Sequence, residues 1–155
     1  MGKILFIKVW KKKTPLIPKV KFFKNSIFSH QDSRRGLIGL AGNLKFVNDS
    51  KQIKIINVTK KSVKNEIIGN HRHIRKSNQW EYIYVLHQNT KKKIFEFRYK
   101  NYEGPTKKKI LYAGDCVSVP PGCALGLLPL IEDSILIEIS NKVYHDNYEK
   151  INLFA

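Results

Sequence analysis

From Gln52 onward this chain is a succession of short extended runs, each cut off before it could make a helix. Glu81-Tyr82-Ile83-Tyr84-Val85-Leu86 and Ile94-Phe95-Glu96-Phe97-Arg98-Tyr99 alternate cleanly and are rich in β-branched and aromatic residues. Side chains that alternate in this way line opposite faces of a strand. The Gly104-Pro105 and Pro120-Pro121-Gly122 turns punctuate the later runs. Further runs at residues 3–10, 20–23, 37–47, 52–58, 66–73, 109–112, 115–119, 124–130 and 134–140 complete an almost uninterrupted strand series. Residues 29–36 read as a polar turn, and residues 146–153 as a helical turn or two. Many short strands with turn signals between them exclude a helical bundle and an alternating strand–helix sheet. They predict an all-β sandwich, jelly roll or closed barrel.

With 155 residues, 42% of them hydrophobic, the chain is long enough to bury one core without staples. Residues 1–30 carry lysines and no acidic residue, and they read as an N-terminal arm that adds an edge strand to this barrel or to a partner's. Residues 31–155 read as the barrel domain. Cys116 and Cys123 stand without a wider cysteine framework, so reduced core thiols and a cytoplasmic location are expected. Lys8 interrupts the apolar start and no small-residue cleavage site follows, so neither a signal peptide nor a membrane partner is expected. The formal charge of +17 comes from lysines scattered along the chain, at Lys11 to Lys13, Lys60-Lys61, Lys91 to Lys93 and Lys107 to Lys109. Arginine, which reads bases and phosphates in a bidentate way, is scarce, and a solvated surface is favoured over a nucleic-acid footprint.

The chemistry-bearing feature is Gly69-Asn70-His71-Arg72-His73. Two histidines two apart on a strand share a face, roughly 7 Å from each other. Imidazole titrates near neutrality, so such a pair suits the removal and return of a proton. Glu81 shares strand parity with Ile83 and Val85. On an inner face its carboxylate needs a partner, because an unpaired buried carboxylate is costly. It then orients a histidine or joins His71 and His73 as a three-ligand metal site; on a rim it pairs with Arg75 or Lys76 instead. No phosphate-binding glycine loop, dinucleotide fingerprint or Ser-His-Asp arrangement is present, and no cofactor is expected.

With these residues in view, the chain resembles the cupin superfamily, and within it the dTDP-4-dehydrorhamnose 3,5-epimerase and dTDP-4-keto-6-deoxyhexose 3,4-ketoisomerase branch. His71 and His73 match the first cupin motif, with Glu81 delayed by several residues. Gly114, Pro120 and Gly122 match the second. Asp32-Ser33-Arg34-Arg35-Gly36 is similar to the opening turn of the epimerases, and Ile137 to Asp146 to their final strand and tyrosine-acid tail. Departures stand beside these matches: Leu125 and Pro129 replace the late histidine and asparagine, Gln88 replaces the closing glycine, and Ile68 replaces an arginine. The resemblance implies a single-domain cupin-type jelly-roll β-barrel acting as an isomerase or epimerase on a nucleotide-activated 4-keto-6-deoxy sugar. It also implies a homodimer serving polysaccharide precursor synthesis. It assigns His71 as base, His73 as proton carrier and Tyr144 as a further catalytic group. Arg34, Arg35, Arg75, Glu81 and Arg98 are the residues expected to bind substrate, with Arg98 projecting into the lumen. Two alternatives stand beside it: a barrel that binds sugar or serves as an accessory subunit without turnover, and a metal-dependent barrel using His71, His73 and Glu81.

Overall fold

The alternation in sequence becomes register in space. The computed structural model describes residues 17–24, 27–31, 36–40, 49–143 and 148–155, with 27–31 and 36–40 described through their backbone alone. Its strands are β1 (Lys21–Phe23), β2 (Ile27–Gln31), β3 (Gly36–Leu40), β4 (Gln52–Asn57), β5 (Ile68–His73), β6 (Glu81–Leu86), β7 (Phe95–Lys100), β8 (Lys107–Leu111), β9 (Cys116–Val119), β10 (Ala124–Pro129), β11 (Ile135–Ser140) and β12 (Tyr148–Lys150). One sheet runs in the order β1-β9-β6-β11-β4 and faces a second in the order β12-β5-β10-β7-β8, while β2 and β3 form a separate hairpin. Ile83, Val85, Val117 and Leu136 of the first sheet meet Phe95, Phe97, Leu111, Leu125 and Leu127 of the second in one buried core. Two antiparallel sheets closed on a shared core give the expected jelly roll. No helix among the described residues is long and apolar enough to cross a membrane.

Two regions differ from the sequence expectation. Ser29 to Gly36 was expected as a turn, but Ser29, His30 and Gln31 pair with Ile38, Leu37 and Gly36 in the β2–β3 hairpin. Cross-strand pairing there outweighs a polar local composition. The tail, expected to be helical, instead adds β12 to the edge of β5, where Tyr148, Glu149 and Lys150 pair with His73, Arg72 and His71. Backbone donors beyond that strand find fixed acceptors: Ile151 N–H donates to the Asn70 carbonyl at 3.1 Å and Leu153 N–H to Asn70 Oδ1 at 2.9 Å. Those bonds, together with the open edge of β5, favour the extended form over a short isolated helix. The run at 3–10 lies outside the described residues, whereas β1 does add an edge strand to its own barrel through β9.

Asn70 receives these bonds because it is the extra residue of a bulge. Pairing of β5 with β10 passes from His71↔Leu125 directly to Gly69↔Gly126, and both Gly69 and Asn70 have positive φ, 84° and 60°. Such a bulge is a device for re-aiming side chains. Here it lets His71 and Ile68, three residues apart, both face inward, with Ile68 packed against the core. Gly122, at φ 82°, ends the Pro120-Pro121 turn and donates its N–H to the His73 carbonyl at 3.0 Å. A Cβ there would lie 2.9 Å from the Tyr102 ring, so both the backbone conformation and the packing of Tyr102 call for glycine.

Lys60, Lys61 and Lys91 to Lys93 are exposed, and Lys11 to Lys13 lie outside the described residues. Lys107, Lys108 and Lys109 occupy β8, the outer edge of its sheet, where charge discourages strand addition. Both cysteines are buried free thiols, and burial pushes Cys116 up to about 12, well away from thiolate chemistry.

Candidate active site

Each residue on the inner face of the first sheet has a cross-strand neighbour fixed by register. Lys54, Glu138, Ile83 and Val117 form one inward row, and Gln52, Ser140, Glu81 and Val119 form the next. Charged groups thus collect toward one end of the lumen, where the apolar core gives way. From the opposite sheet, β5 aims His71 and His73 at them.

His73 is 2% exposed, and its Nε2 lies 3.0 Å from Glu81 Oε1. Glu81, equally buried, also accepts from Gln79 Nε2 at 3.4 Å. Burial alone would raise the Glu81 carboxyl. The hydrogen bond and charge of His73, reinforced by Lys54 and His71, outweigh it and hold the group below the ordinary carboxylate range. Glu81 is therefore an anion that orients His73, the inner-face alternative of the sequence reading.

His71 Nε2 lies 3.3 Å from His73 Nε2, with ring centroids 4.8 Å apart. Burial, then the neighbouring His73, lower the pKa of His71, although Glu81 and a backbone hydrogen bond to Gly69 pull the other way. At neutral pH its imidazole is neutral and able to accept a proton. The ring opens onto a cleft of about 840 Å³ whose wall includes Lys54, Ile56, Asn70, His71, Glu138, Tyr148 and Lys150. Across the cleft Lys54 Nζ pairs with Glu138 Oε2 at 2.7 Å. Burial, and then the charge of Glu81, raise the Glu138 carboxyl despite Lys54.

Other predicted residues fall elsewhere. Arg98 is corrected to the outer face: it shares a cross-strand row with Gly126 rather than with the inward Leu125 and Leu127. There it donates to Glu96 at 2.7 Å and to the Leu153 carbonyl at 3.1 Å, with its guanidinium 4.4 Å from the Phe154 ring centre. Arg75 is exposed on a short 3-10 turn, 5.4 Å from the Tyr102 ring, and is not among the residues lining the cleft. Arg34, Arg35 and Tyr144 lie outside the described residues.

Three residues at the cleft were missed by sequence reasoning. Lys54 and Glu138 each interrupt an isoleucine-rich strand at an inward position, which is a readable signal. Their pairing needs the β4–β11 register, which is not readable. Tyr148, its ring centroid 5.2 Å from His71, was hidden by the helical reading of the tail.

The set His71, His73 and Glu81 presents one ligand atom each, all within 4.8 Å of one another, so the residues fit a divalent cation. They could hold it as a facial triad, which would supply Lewis-acid polarisation of a carbonyl.

No protein-family model matches the sequence, nor does any curated protein. The fold has solved counterparts. A histidine-to-asparagine variant of the 3,4-ketoisomerase QdtA from Thermoanaerobacterium thermosaccharolyticum, in complex with TDP-4-keto-6-deoxyglucose, is similar with a TM-score of 0.62 at 16% identity, over 85% of this chain and 87% of that one. The WlaRB TDP-quinovose 3,4-ketoisomerase from Campylobacter jejuni gives 0.61 at 15% identity, over 84% and 92%. The dTDP-4-dehydrorhamnose 3,5-epimerase from Bacillus anthracis, with TDP and PPi bound, gives 0.59 at 17% identity, over 84% and 77%. At such identities the likeness establishes a shared cupin-type fold.

Proposed function

We propose that this barrel isomerises or epimerises a nucleotide-activated 4-keto-6-deoxy sugar, in the cytoplasm, for polysaccharide precursor synthesis. The observation that carries the reading is His71, a neutral imidazole on the wall of a sugar-sized cleft, backed by His73 and Glu81. Removing a proton beside a carbonyl needs a base that is unprotonated at working pH, and a lowered imidazole pKa supplies one. His71 takes the proton from the carbon next to the ketone as the carbon–hydrogen electron pair moves toward the carbonyl oxygen. The resulting imidazolium is stabilised by the charge of Glu81, whose carboxylate and His71 Nε2 both lie within 3.3 Å of His73 Nε2. Return of the proton to the former carbonyl carbon, while the adjacent hydroxyl gives its proton up to the former carbonyl oxygen and becomes the new carbonyl, shifts the ketone; return to the original carbon from the other face gives an epimer. The solved counterparts support this reading, since two are 3,4-ketoisomerases, one captured with a TDP-keto sugar.

A homodimer fits the outer face of the first sheet. Ile55, 65% exposed there, heads a row through Ile137, Tyr84 and Cys116 to Phe23, and Ile53, 64% exposed, heads the neighbouring row through Ile139 and Tyr82. Tyr144, Arg34 and Arg35 remain the proposed additional catalytic and substrate-binding groups, and Arg75 a rim cation for the nucleotide.

Two measurements test the reading. Adding dTDP raises the melting temperature, and incubation with TDP-4-keto-6-deoxyglucose yields a shifted ketone or an epimer by NMR; no shift and no product would reject it. The rate kcat/KM carries an acid limb. Because the folded pKa of His71 is lowered below 6.5, the base stays competent as pH falls to that value and is lost only below it. A limb centred above pH 7 contradicts this assignment. The geometry of the triad favours a second reading, a metal-dependent barrel. Metal analysis of the purified protein decides it: a stoichiometric divalent cation whose removal stops turnover would replace the metal-free scheme.

A further inference from the structure

The two histidines account for the proton but not for the charge that its removal creates. When the carbon–hydrogen pair moves onto the carbonyl oxygen, an oxyanion forms inside a cleft that is partly shut off from water, where fixed charge counts for more than in bulk solvent. Among the described residues lining that cleft, the cations are Lys54 and Lys150. Lys150 is exposed at the end of β12. Lys54 is different: its side chain is 30% exposed, it stands on the inner face of β4, and it lines the same cleft as His71.

We infer that Lys54, held in place by Glu138, is the cation that stabilises the enolate oxygen of the bound keto sugar. This rests on the isomerase reading above and adds a catalytic residue that neither the motifs nor the resemblance indicated. Glu138, 7% exposed in its side chain, meets Lys54 Nζ at 2.7 Å and fixes the ammonium within the lumen. Glu138 is thus a positioning residue, while Lys54 touches substrate. The charged and titratable groups around Lys54 are Glu138 on β11, Glu81 on β6, and His71 and His73 on β5. Tyr148 and Lys150 line the same cleft. Burial alone would lower the pKa of Lys54, but the charge and hydrogen bond of Glu138, followed by the charge of Glu81, raise it. Lys54 is therefore a cation at neutral pH rather than a second base.

The test uses the full chain with TDP-4-keto-6-deoxyglucose in deuterium oxide, and dTDP binding by thermal shift as an independent readout. Removing one partner of a half-buried pair can unfold a protein, so the Lys54→Met/Glu138→Gln double variant, which leaves no orphan charge, is measured beside Lys54→Arg. The double variant keeps its dTDP shift and loses about 10²–10³-fold in kcat for exchange, with KM little changed; Lys54→Arg recovers part of that loss. In Glu138→Gln, an alkaline limb set by deprotonation of Lys54 moves to lower pH than in wild type. Wild-type exchange in the double variant would overturn the inference. So would loss of dTDP binding with unchanged kcat, which would place Lys54 at the nucleotide. If wild type itself exchanges no proton while dTDP still binds, the isomerase reading fails and takes this inference with it.

Discussion

His71→Asn lowers turnover of the keto sugar by about 10²–10⁴-fold, the range for losing a positioned general base. The amide of asparagine has similar size and can still hydrogen-bond, but it cannot accept a proton at neutral pH. Folding should survive, because His71 is only half-buried and its polar contacts are few: His73 at 3.3 Å and the Gly69 backbone. The dTDP-induced thermal shift therefore stays near that of wild type while product formation, followed by NMR, stops. Full turnover in His71→Asn would assign the base elsewhere. The neighbouring histidine is the poorer candidate, since it is 2% exposed and committed to Glu81.

Phe97→Ala has the largest expected effect on stability. Phe97 is fully buried on the inner face of β7, stacked on Tyr99 at 5.5 Å and edge-on to Phe22 at 5.8 Å. It joins the edge strand β1 of one sheet to the interior strand β7 of the other, so its removal leaves a cavity lined from both sheets. Truncations of this kind cost about 3–5 kcal/mol. For a domain of this size that corresponds to a fall in Tm of roughly 6–20 °C. Urea unfolding monitored by the tryptophan fluorescence of the chain measures it directly. A loss below about 1 kcal/mol would mean that the two sheets do not pack on each other at Phe97.

Much of this architecture was legible because strand periodicity is local. The alternation of Glu81 to Leu86 already places Glu81 on the same face as Ile83 and Val85, and the structure shows that face to be internal. The histidine pair was legible for the same reason, two residues apart on one strand. What escaped was set by contacts distant in sequence. Lys54 and Glu138, more than eighty positions apart in the chain, meet through the register of β4 with β11, and no local pattern encodes that register. Tyr148 reaches His71 because Asn70, the bulged residue of β5, captures the tail's backbone donors. Polar spacing in the tail looks helical when that acceptor is not visible. Arg98 was misplaced because its strand neighbours Phe97 and Tyr99 were not known to be the inward set. Once they fill the core, the arginine between them must face out.

Four departures from the motif pattern take on physical meaning in the fold. Leu125 faces His71 across the β5–β10 pairing and is 1% exposed, so an apolar side chain backs the imidazole where a metal-binding barrel would place another ligand. Ile68 packs on the core beside it. Pro129 ends β10 and Gln88 lies exposed beyond β6, so neither removes a group from the cleft.

The account depends on His71 exchanging a substrate proton within this cleft, and isotope wash-in reads that event without regard to which product is released. Wild-type protein incubated with TDP-4-keto-6-deoxyglucose in deuterium oxide should replace the hydrogen on the carbon beside the ketone, seen as loss of its proton resonance, with a rate that falls below pH 6.5. An unchanged proton spectrum after prolonged incubation, with the same protein shown to bind dTDP, would leave a sugar-nucleotide binder without turnover and contradict the account.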